Sequence, residues 1–181
     1  LYHRLMERQG VSPAEARTVV RTRTSVIAAL MVVREESDAL ICGTQGRFDS
    51  HLKDVQGVAG LQDGVRAASA LRLLLTGHGN VFLADTNISV EPSAEDIVET
   101  AILSAETVRR FGIEPKIALI SHSDFGAREG GSVQRMRRAL SLIRERDPSL
   151  EVEGEMNADA ALDQELRDRI FPNSRLSGQA N

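Results

Sequence analysis

Two serines stand where a predicted strand meets a glycine-rich segment, in the stretch "ALISHSDFGAREGGS" of residues 118–132. Ser121 and Ser123 flank His122, directly after the apolar run that ends at Ile120. Serine hydroxyls and the free N–H groups of a helix start bind anions, whereas a serine beside a histidine could act as a nucleophile. Glycines of this kind also serve ordinary turns. The stretch therefore poses three alternatives: an anion cradle, a nucleophile or a plain strand-to-helix turn.

The local pattern argues against two kinds of site. No Gly-x-x-x-x-Gly-Lys-Ser/Thr pattern is present, which excludes a Walker-type nucleotide site, and "GAREGG" does not match Gly-x-Gly-x-x-Gly. Adjacent side chains at a strand end point to opposite faces, so His122 is poorly placed to activate either serine. Ligands of open α/β sheets bind beyond the carboxyl ends of the strands, where Ser121, Ser123 and Gly126 are expected. Anion binding there and a solvent-exposed loop remain equal alternatives.

The remaining histidines and the single cysteine give no metal-binding pattern. His3, His51 and His78 are far apart in the sequence, and Cys42 is the only cysteine. This arrangement argues against a zinc site. A lone cysteine also rules out an intramolecular disulfide and fits a reducing compartment.

Three carboxylates lie near predicted strand ends. Asp85 closes the predicted strand "NVFLAD", and Asp159 precedes "AAL". Asp159 is explained most simply as a helix N-cap. Glu155 follows the predicted strand "LEVEG", on the same presumed sheet edge as Ser121. It is therefore a candidate for supporting a site at that edge rather than for contacting a ligand.

Several basic residues lie in loops or in segments of ambiguous structure, namely Arg47, Lys53, Arg66, Arg72 and Arg128. Most such residues form a solvated surface. Arg66 and Arg72 interrupt an otherwise apolar run, where an arginine needs a specific partner. That partner could be a phosphate-bearing ligand, another subunit or a buried carboxylate.

The first part of the chain is predicted to be mostly helical. A helix end at residue 9 is closed by Gly10 in a left-handed conformation, and a second helix runs from Pro13 to about Arg21 with Ser12 as its N-cap. Residues 24–37 form an apolar helix that we expect to be largely buried. "DALICG" is predicted to be a buried strand, and residues 44–60 a loop followed by a short helix.

The second part alternates between strands and helices. Strands are predicted at "NVFLAD" and "KIALIS" and, half-exposed, at "LEVEG", whereas "VRAASALRLLL" is ambiguous between helix and strand. Helices are predicted from Ser93 to Gly112, from 132 to 147 and from 159 to 171. This alternation is typical of an α/β protein with a parallel or mostly parallel sheet covered by helices on both faces.

The composition sets broad limits on function. The 181 residues are 41% hydrophobic and 27% charged, which is ordinary for a globular protein, and the net charge of −4 argues against general affinity for nucleic acid. No apolar stretch has the length of a membrane span and no leader-like segment opens the chain, so we expect the cytoplasm. The sequence begins without Met in mid-pattern, and we interpret it as a piece of a longer polypeptide.

Several stretches in order resemble the phosphate acetyl/butyryl transferase family. They are "SDALICGTQG", "NVFLADT", "AEDIVETAILSAETVRRFGIEPKIALISHSDFG", "VEGEMNADAAL" and "NSRLSGQAN". The resemblance implies a three-layer α/β/α sandwich with a mostly parallel sheet, similar to isocitrate and isopropylmalate dehydrogenases. On this basis residues 1–78 form part of a first α/β subdomain. Residues 79–181 form a second subdomain, incomplete at the C-terminus because a further strand follows in the family.

The resemblance extends to one branch, the C-terminal phosphotransacetylase-like domain of the large bacterial NADP-dependent malic enzymes. It implies a regulatory, dimer-forming domain that binds acetyl-CoA or a related CoA ester as effector and holds no cofactor itself. NADP and a divalent metal would belong only to a separate catalytic domain. Ser121, Ser123 and Gly126 would line the acyl or phosphate end of the cleft, and Arg47 and Arg66 would contact the CoA phosphates.

Two departures from active phosphotransacetylases bear on catalysis. Asp124 stands where active members typically have Thr, and its charge would repel a phosphate. The late Ser-Arg…Asp motif of the family lies beyond the Gly-x-Ala-Asn segment, which is Gly178 to Asn181 here. The sequence therefore predicts no catalytic residue in this chain. An active phosphate acetyltransferase and a purely structural dimerisation domain are the alternatives, and the missing strand predicts an exposed apolar surface.

Overall fold

The computed structural model describes residues 1–77 and 79–181 and divides the chain into two compact units. The first unit is Leu1–Val65 and the second is Arg66–Asn181. The boundary expected from the sequence, between residues 78 and 79, differs from this one. It would cut the hairpin that the second unit contains whole. Among the described residues, no helix combines the length and apolar character needed to cross a bilayer.

The first unit is helical. Its elements are α1 (Tyr2–Met6), a 3₁₀ turn (Glu7–Gln9), α2 (Pro13–Thr22), α3 (Thr24–Val33) and α4 (Phe48–Ala59). The predicted closure at Gly10 and the start of α2 at Pro13 are confirmed, whereas α3 ends at Val33 and not at residue 37. Gly10 closes the first helical segment with φ 85°, and the Ser12 hydroxyl accepts a hydrogen bond from the N–H of Glu15 at 3.2 Å. The core of this unit gathers Tyr2, Ala16, Val26, Ala29 and Val58.

Two predictions for the first unit are wrong. "DALICG" forms no strand, and Ile41 within it is 98% exposed. A strand needs a hydrogen-bonding neighbour, and the described residues of this unit contain none. The α3 helix buries Val26 and Ala29 but leaves Ile27 and Met31 more than a third exposed, so only one of its faces is covered.

The second unit contains all four strands that the structure describes. Its elements are β1 (Leu71–Thr76), β2 (Gly79–Ala84), α5 (Ala94–Arg110), β3 (Lys116–Ile120), α6 (Gly131–Arg146), β4 (Glu151–Met156), α7 (Ala158–Leu162) and α8 (Gln164–Ile170). The ambiguous run before residue 76 is thus partly strand. The α5 helix begins as predicted at Ser93, which exchanges hydrogen bonds with Asp96 in a capping box.

The four strands form two separate pairs. β1 and β2 are antiparallel, with only two residues of sequence between Thr76 and Gly79, and β3 and β4 are parallel and joined through α6. The described residues thus form two two-stranded sheets and not the single, mostly parallel sheet that the sequence predicts. The parallel β3–α6–β4 unit is the part of that prediction which is confirmed.

The main core lies between β3–β4 and the helices α5 and α6. It includes Ala101, Ala105, Leu119, Ala139 and Ile143. β4 is buried from Val152 to Met156, so the prediction of a half-exposed strand is wrong.

The predicted helix 159–171 is also split. Asp163 caps α8 by accepting a hydrogen bond from the N–H of Leu166 at 3.0 Å, so a new helix begins there.

Candidate functional site

The segment after β3 folds back over the end of β4. The N–H of Ser121 donates to the carbonyl of Met156 at 2.9 Å, and that of Phe125 donates to the carbonyl of Glu155 at 2.7 Å. Phe125 and Gly126 both adopt left-handed φ values, 43° and 94°, which reverse the chain toward α6. We call residues 121–128 the strand-end turn. Ser121, Ser123 and Gly126 all lie on this turn.

A buried carboxylate organises this turn. The Glu155 side chain is only 1% exposed, and its Oε1 accepts from the Ser123 hydroxyl at 3.1 Å and from the N–H of Gly126 at 2.8 Å. Its Oε2 accepts from Nε of Arg137 at 3.3 Å. Burial raises the pKa of Glu155, but hydrogen bonds from backbone N–H groups, Arg137 and Ser123 outweigh it and hold that pKa below its ordinary value. Glu155 is therefore an ionised anchor.

The two serines have different surroundings. Ser123 is 1% exposed, and its hydroxyl donates to Glu155 while accepting from the N–H of Arg128 at 3.1 Å. Ser121 is only partly buried, and its hydroxyl has no hydrogen-bond partner among the described residues. No hydrogen bond joins the exposed His122 to either serine within that same part of the chain. Ser121 is therefore the hydroxyl that remains available to a ligand.

Asp124 has a structural role that the sequence did not reveal. Its Oδ1 accepts from the N–H of Asn157 at 2.7 Å, and its Oδ2 accepts from Nδ2 of the same residue at 2.5 Å. Asn157, not Asp159, is the N-cap of α7, so the predicted cap at Asp159 is wrong. Asp159 lies in the first turn of α7. Both oxygens of Asp124 are thus engaged in fixing the strand-end turn to α7.

The start of α6 completes a positively polarised edge beside the turn. No side chain caps this helix at Gly130, and its first turn contains no acidic residue. A Cβ atom at Gly131 would lie 3.8 Å from Nη1 of Arg135, so that guanidinium lies close to the helix start. Unpaired N–H groups at the start of a 16-residue helix, with an arginine beside them, attract anions.

The arginines predicted to contact the CoA phosphates each have a carboxylate neighbour within their own unit. Arg47 is in the first unit, at the start of α4, 3.5 Å from a carboxylate oxygen of Asp49. Arg66 lies near the start of α5, where its Nη2 is 3.6 Å from Oδ1 of Asp96. Asp96 is partly exposed and is therefore not the buried carboxylate considered as a partner for Arg66.

Asp85 and Arg72 also have partners within the second unit. Asp85 adopts φ 49° and accepts a hydrogen bond from the N–H of Ser89 at 3.3 Å, so its carboxylate stabilises a turn. Nη2 of Arg72 donates to Oδ1 of Asn87 at 3.1 Å. Asp85 follows β2 and Arg72 belongs to β1, so neither residue lies on the strand-end turn.

A cavity of about 540 Å³ lies in the second unit beside Asp85. Side chains of β2, α5 and β3 line it, among them Phe82, Leu83, Ala101 and Ile117. Its walls are mainly apolar, with Asp85, Ser89, Lys116 and Asn181 among the polar residues that line it.

Arg137 is the residue of this site that sequence reasoning missed. It lies four positions after Val133, on the helix face that also carries Leu140. An arginine on the inner face of a predicted amphipathic helix indicates a buried carboxylate partner, and that signal was present in the sequence.

Within residues 1–77 and 79–181, no group of three His, Cys, Asp or Glu side chains is arranged to hold a metal ion. His78, one of the scattered histidines, lies outside the described residues.

Comparison with known proteins places these features in a family. The family model described as Phosphate acetyl/butaryl transferase matches residues 1–181. The chain is 51% identical over 180 residues to an NAD-dependent malic enzyme of Rhizobium meliloti, covering 99% of this chain and 23% of the relative. It is 47% identical over 180 residues to the NADP-dependent malic enzyme of Escherichia coli, covering 99% and 24%. Phosphate acetyltransferases follow among the curated relatives.

A solved structure shares the fold. A phosphotransacetylase from Streptococcus pyogenes superposes with a TM-score of 0.85 at 24% identity, covering 99% of this chain and 56% of that one. The chain spans about a quarter of the length of the malic enzymes that it matches. The α/β prediction and the predicted resemblance are confirmed, and the chain belongs to the phosphate acetyl/butaryl transferase family.

Proposed function

We propose that this chain is the regulatory, acyl-CoA-binding domain of a malic enzyme, with acetyl-CoA as its effector. The observation that carries the proposal is the strand-end turn. Its buried anchor Glu155 is fully hydrogen-bonded, while the Ser121 hydroxyl and the first N–H groups of α6 remain open. Such an edge binds an acyl or phosphate oxygen without reorganising.

The malic enzymes that match nearly the whole chain support a malic enzyme as the parent protein. The parent reaction would be oxidative decarboxylation of malate to pyruvate in the cytoplasm. NADP and a divalent metal would be held by a separate catalytic domain, so this chain would contribute regulation and dimerisation. Among the described residues, no group of three His, Cys, Asp or Glu side chains is arranged to bind that metal.

We also propose that the second unit is part of an isocitrate/isopropylmalate dehydrogenase-like sandwich, completed by one more strand between β2 and β3. Asn181 supports it, because its N–H donates to the carbonyl of Lys116 at 3.0 Å and its carbonyl accepts from the N–H of Phe82 at 2.6 Å. A residue bonded to both strands occupies the position of a strand between them. Such a strand would lie along the apolar cavity and join the two pairs into one sheet.

Isothermal titration of the full-length protein with acetyl-CoA tests the regulatory proposal. We expect saturable binding, weakened about tenfold in Ser121→Ala through loss of one hydrogen bond. Ser50→Ala, an exposed serine of α4, is the matched control and should leave the affinity unchanged. Absence of binding at millimolar acetyl-CoA contradicts the proposal, and a dimer that persists without binding would favour a structural dimerisation domain.

One observation favours an active phosphate acetyltransferase as the second candidate. Both oxygens of Asp124 are hydrogen-bonded to Asn157, so this carboxylate is held in a structural role beside the turn. Its replacement of Thr is then a weaker argument against phosphate turnover. Incubating the full-length protein with acetyl-CoA and phosphate distinguishes the candidates, because a transferase releases free CoA and acetyl phosphate in equal amounts.

A further inference from the structure

In the strand-end turn, the residues that position the backbone differ from the residue that contacts the ligand. Resting on the proposed function, we infer that Glu155 and Arg137 are positioning residues. They fix the strand-end turn through Ser123, and Ser121 is the serine whose hydroxyl contacts the ligand.

Glu155 links β4 to two points of the turn. One carboxylate oxygen accepts both from the Ser123 side chain and from the N–H of Gly126, three residues further on. The carboxylate is buried and charged, so it needs these donors to be stable there. Removing the charge would loosen both points at once.

Arg137 links the same carboxylate to α6 and to the far end of the turn. Its Nε donates to Oε2 of Glu155 at 3.3 Å, and its Nη2 donates to the carbonyl of Arg128 at 3.3 Å. A Cβ atom at Gly126 would lie 3.1 Å from that Nη2, so the glycine allows the guanidinium to approach. One planar guanidinium therefore holds helix, strand and turn in a single geometry.

The two serines therefore have different roles. Both bonds of the Ser123 hydroxyl are made inside the protein, one to Glu155 of β4 and one from the N–H of Arg128 at the end of the turn. Because nothing in the described chain engages the Ser121 hydroxyl, a ligand oxygen can take it without breaking an existing bond. A turn held rigid in advance loses less conformational entropy when the ligand binds.

The test combines affinity for acetyl-CoA with amide hydrogen exchange in the full-length protein. In Glu155→Gln we expect the Gly126 and Arg128 amides to exchange about tenfold faster and acetyl-CoA to bind about tenfold more weakly. In Ser121→Ala we expect weaker binding with unchanged exchange. In Ser123→Ala the Arg128 amide should exchange faster. Glu145→Gln, an exposed and unpaired glutamate of α6, is the matched control and should change neither.

Each failure has its own meaning. If Glu155→Gln alters neither exchange nor affinity, or if Ser121→Ala binds normally, the inference is wrong although the proposed function stands. If the wild-type protein does not bind acetyl-CoA, the proposed function fails and the ligand role of Ser121 fails with it. Should Glu155→Gln not fold, Arg137→Lys decides by the same two measurements, with Arg138→Lys as its exposed control.

Discussion

The two strand pairs of the second unit differ in how far the chain itself satisfies them. In β3–β4 the strands are largely covered, and the buried carboxylates Glu153 and Glu155 each have an arginine partner from α6. In β1–β2 the β1 strand is exposed along most of its length, and Leu75 is 77% exposed. The β3–β4 pair is packed against its own helices, whereas the β1–β2 pair exposes apolar side chains.

This difference explains where a site can form. A ligand edge needs side chains fixed by their neighbours, which β3–β4 and its turn supply. The exposed apolar surface predicted from the sequence is confirmed at the hairpin, and surface of this kind is normally covered by further protein. Four substitutions test this difference between the two strand pairs.

The largest effect is expected where β3 and β4 approach each other most closely. Gly154 has φ 141°, and a Cβ atom there would lie 2.8 Å from the carbonyl oxygen of Leu119. Gly154→Ala should lower the free energy of unfolding by about 3 kcal/mol through strain and overpacking. Urea denaturation measures this, with Gly77→Ala in the hairpin turn as control because no atom lies within 4 Å of its added Cβ. Equal effects of the two changes would contradict the comparison.

The next effect concerns the ionised anchor. Glu155→Gln should lower the free energy of unfolding by about 2 kcal/mol at pH 7, because Ser123, Gly126 and Arg137 then lose a charged hydrogen-bond acceptor. The pKa of Glu155 is lowered from 4.5, so its stabilisation is complete above that pH and is lost as the pH falls through the folded-state pKa. The stability difference between wild type and variant should therefore be constant from pH 7 to about 5 and shrink below it. A difference that grows on acidification would show that the carboxyl is protonated in the folded protein.

A smaller effect is expected at the start of β3, which the Asn181 side chain holds. The Asn181 side chain accepts from the N–H of Lys116 at 2.8 Å and donates to the carbonyl of Glu114 at 2.8 Å. Asn181→Ala should lower the free energy of unfolding by about 1 kcal/mol. Amide exchange at Lys116 should rise, whereas exchange within β1 should not. Unchanged exchange at Lys116 would mean that the Asn181 side chain does not hold the start of β3.

The smallest effect is expected on the exposed hairpin. Leu75→Ser should change the free energy of unfolding by less than about 0.5 kcal/mol, because the side chain is already mostly in water. Thermal denaturation checks this. A large loss of stability would mean that β1 is covered in solution and that the hairpin is not the unfinished region.

Local signals were read correctly from the sequence, and long-range ones were not. Ser12, Ser93 and Gly10 act within three residues of their own helices, so their roles follow from neighbouring residues alone. "DALICG" fails as a strand because strand formation depends on a distant partner. The alternation of Glu151 and Glu153 with Leu150 and Val152 in "LEVEG" predicts a half-exposed β4. Arg144 of α6 pairs with Glu153 and makes that position internal.

The candidate site shows the same limit. The serines and glycine of the turn were identified from type and spacing, whereas the anchor role of Glu155 depends on contacts 18 to 32 residues away in sequence. Asp124 was interpreted through its charge, but its partner Asn157 lies 33 residues further on. Chemistry-bearing residues can thus be found locally, but their division into supporting and contacting groups requires the fold.

Hydrogen–deuterium exchange of the full-length protein, with and without saturating acetyl-CoA, tests the central claim most directly. We predict slower exchange across residues 121–132, covering the strand-end turn and the start of α6, and no change across the hairpin at 71–77 and 79–84. No protection at 121–132, or protection confined to the hairpin, would contradict the assignment of the binding edge.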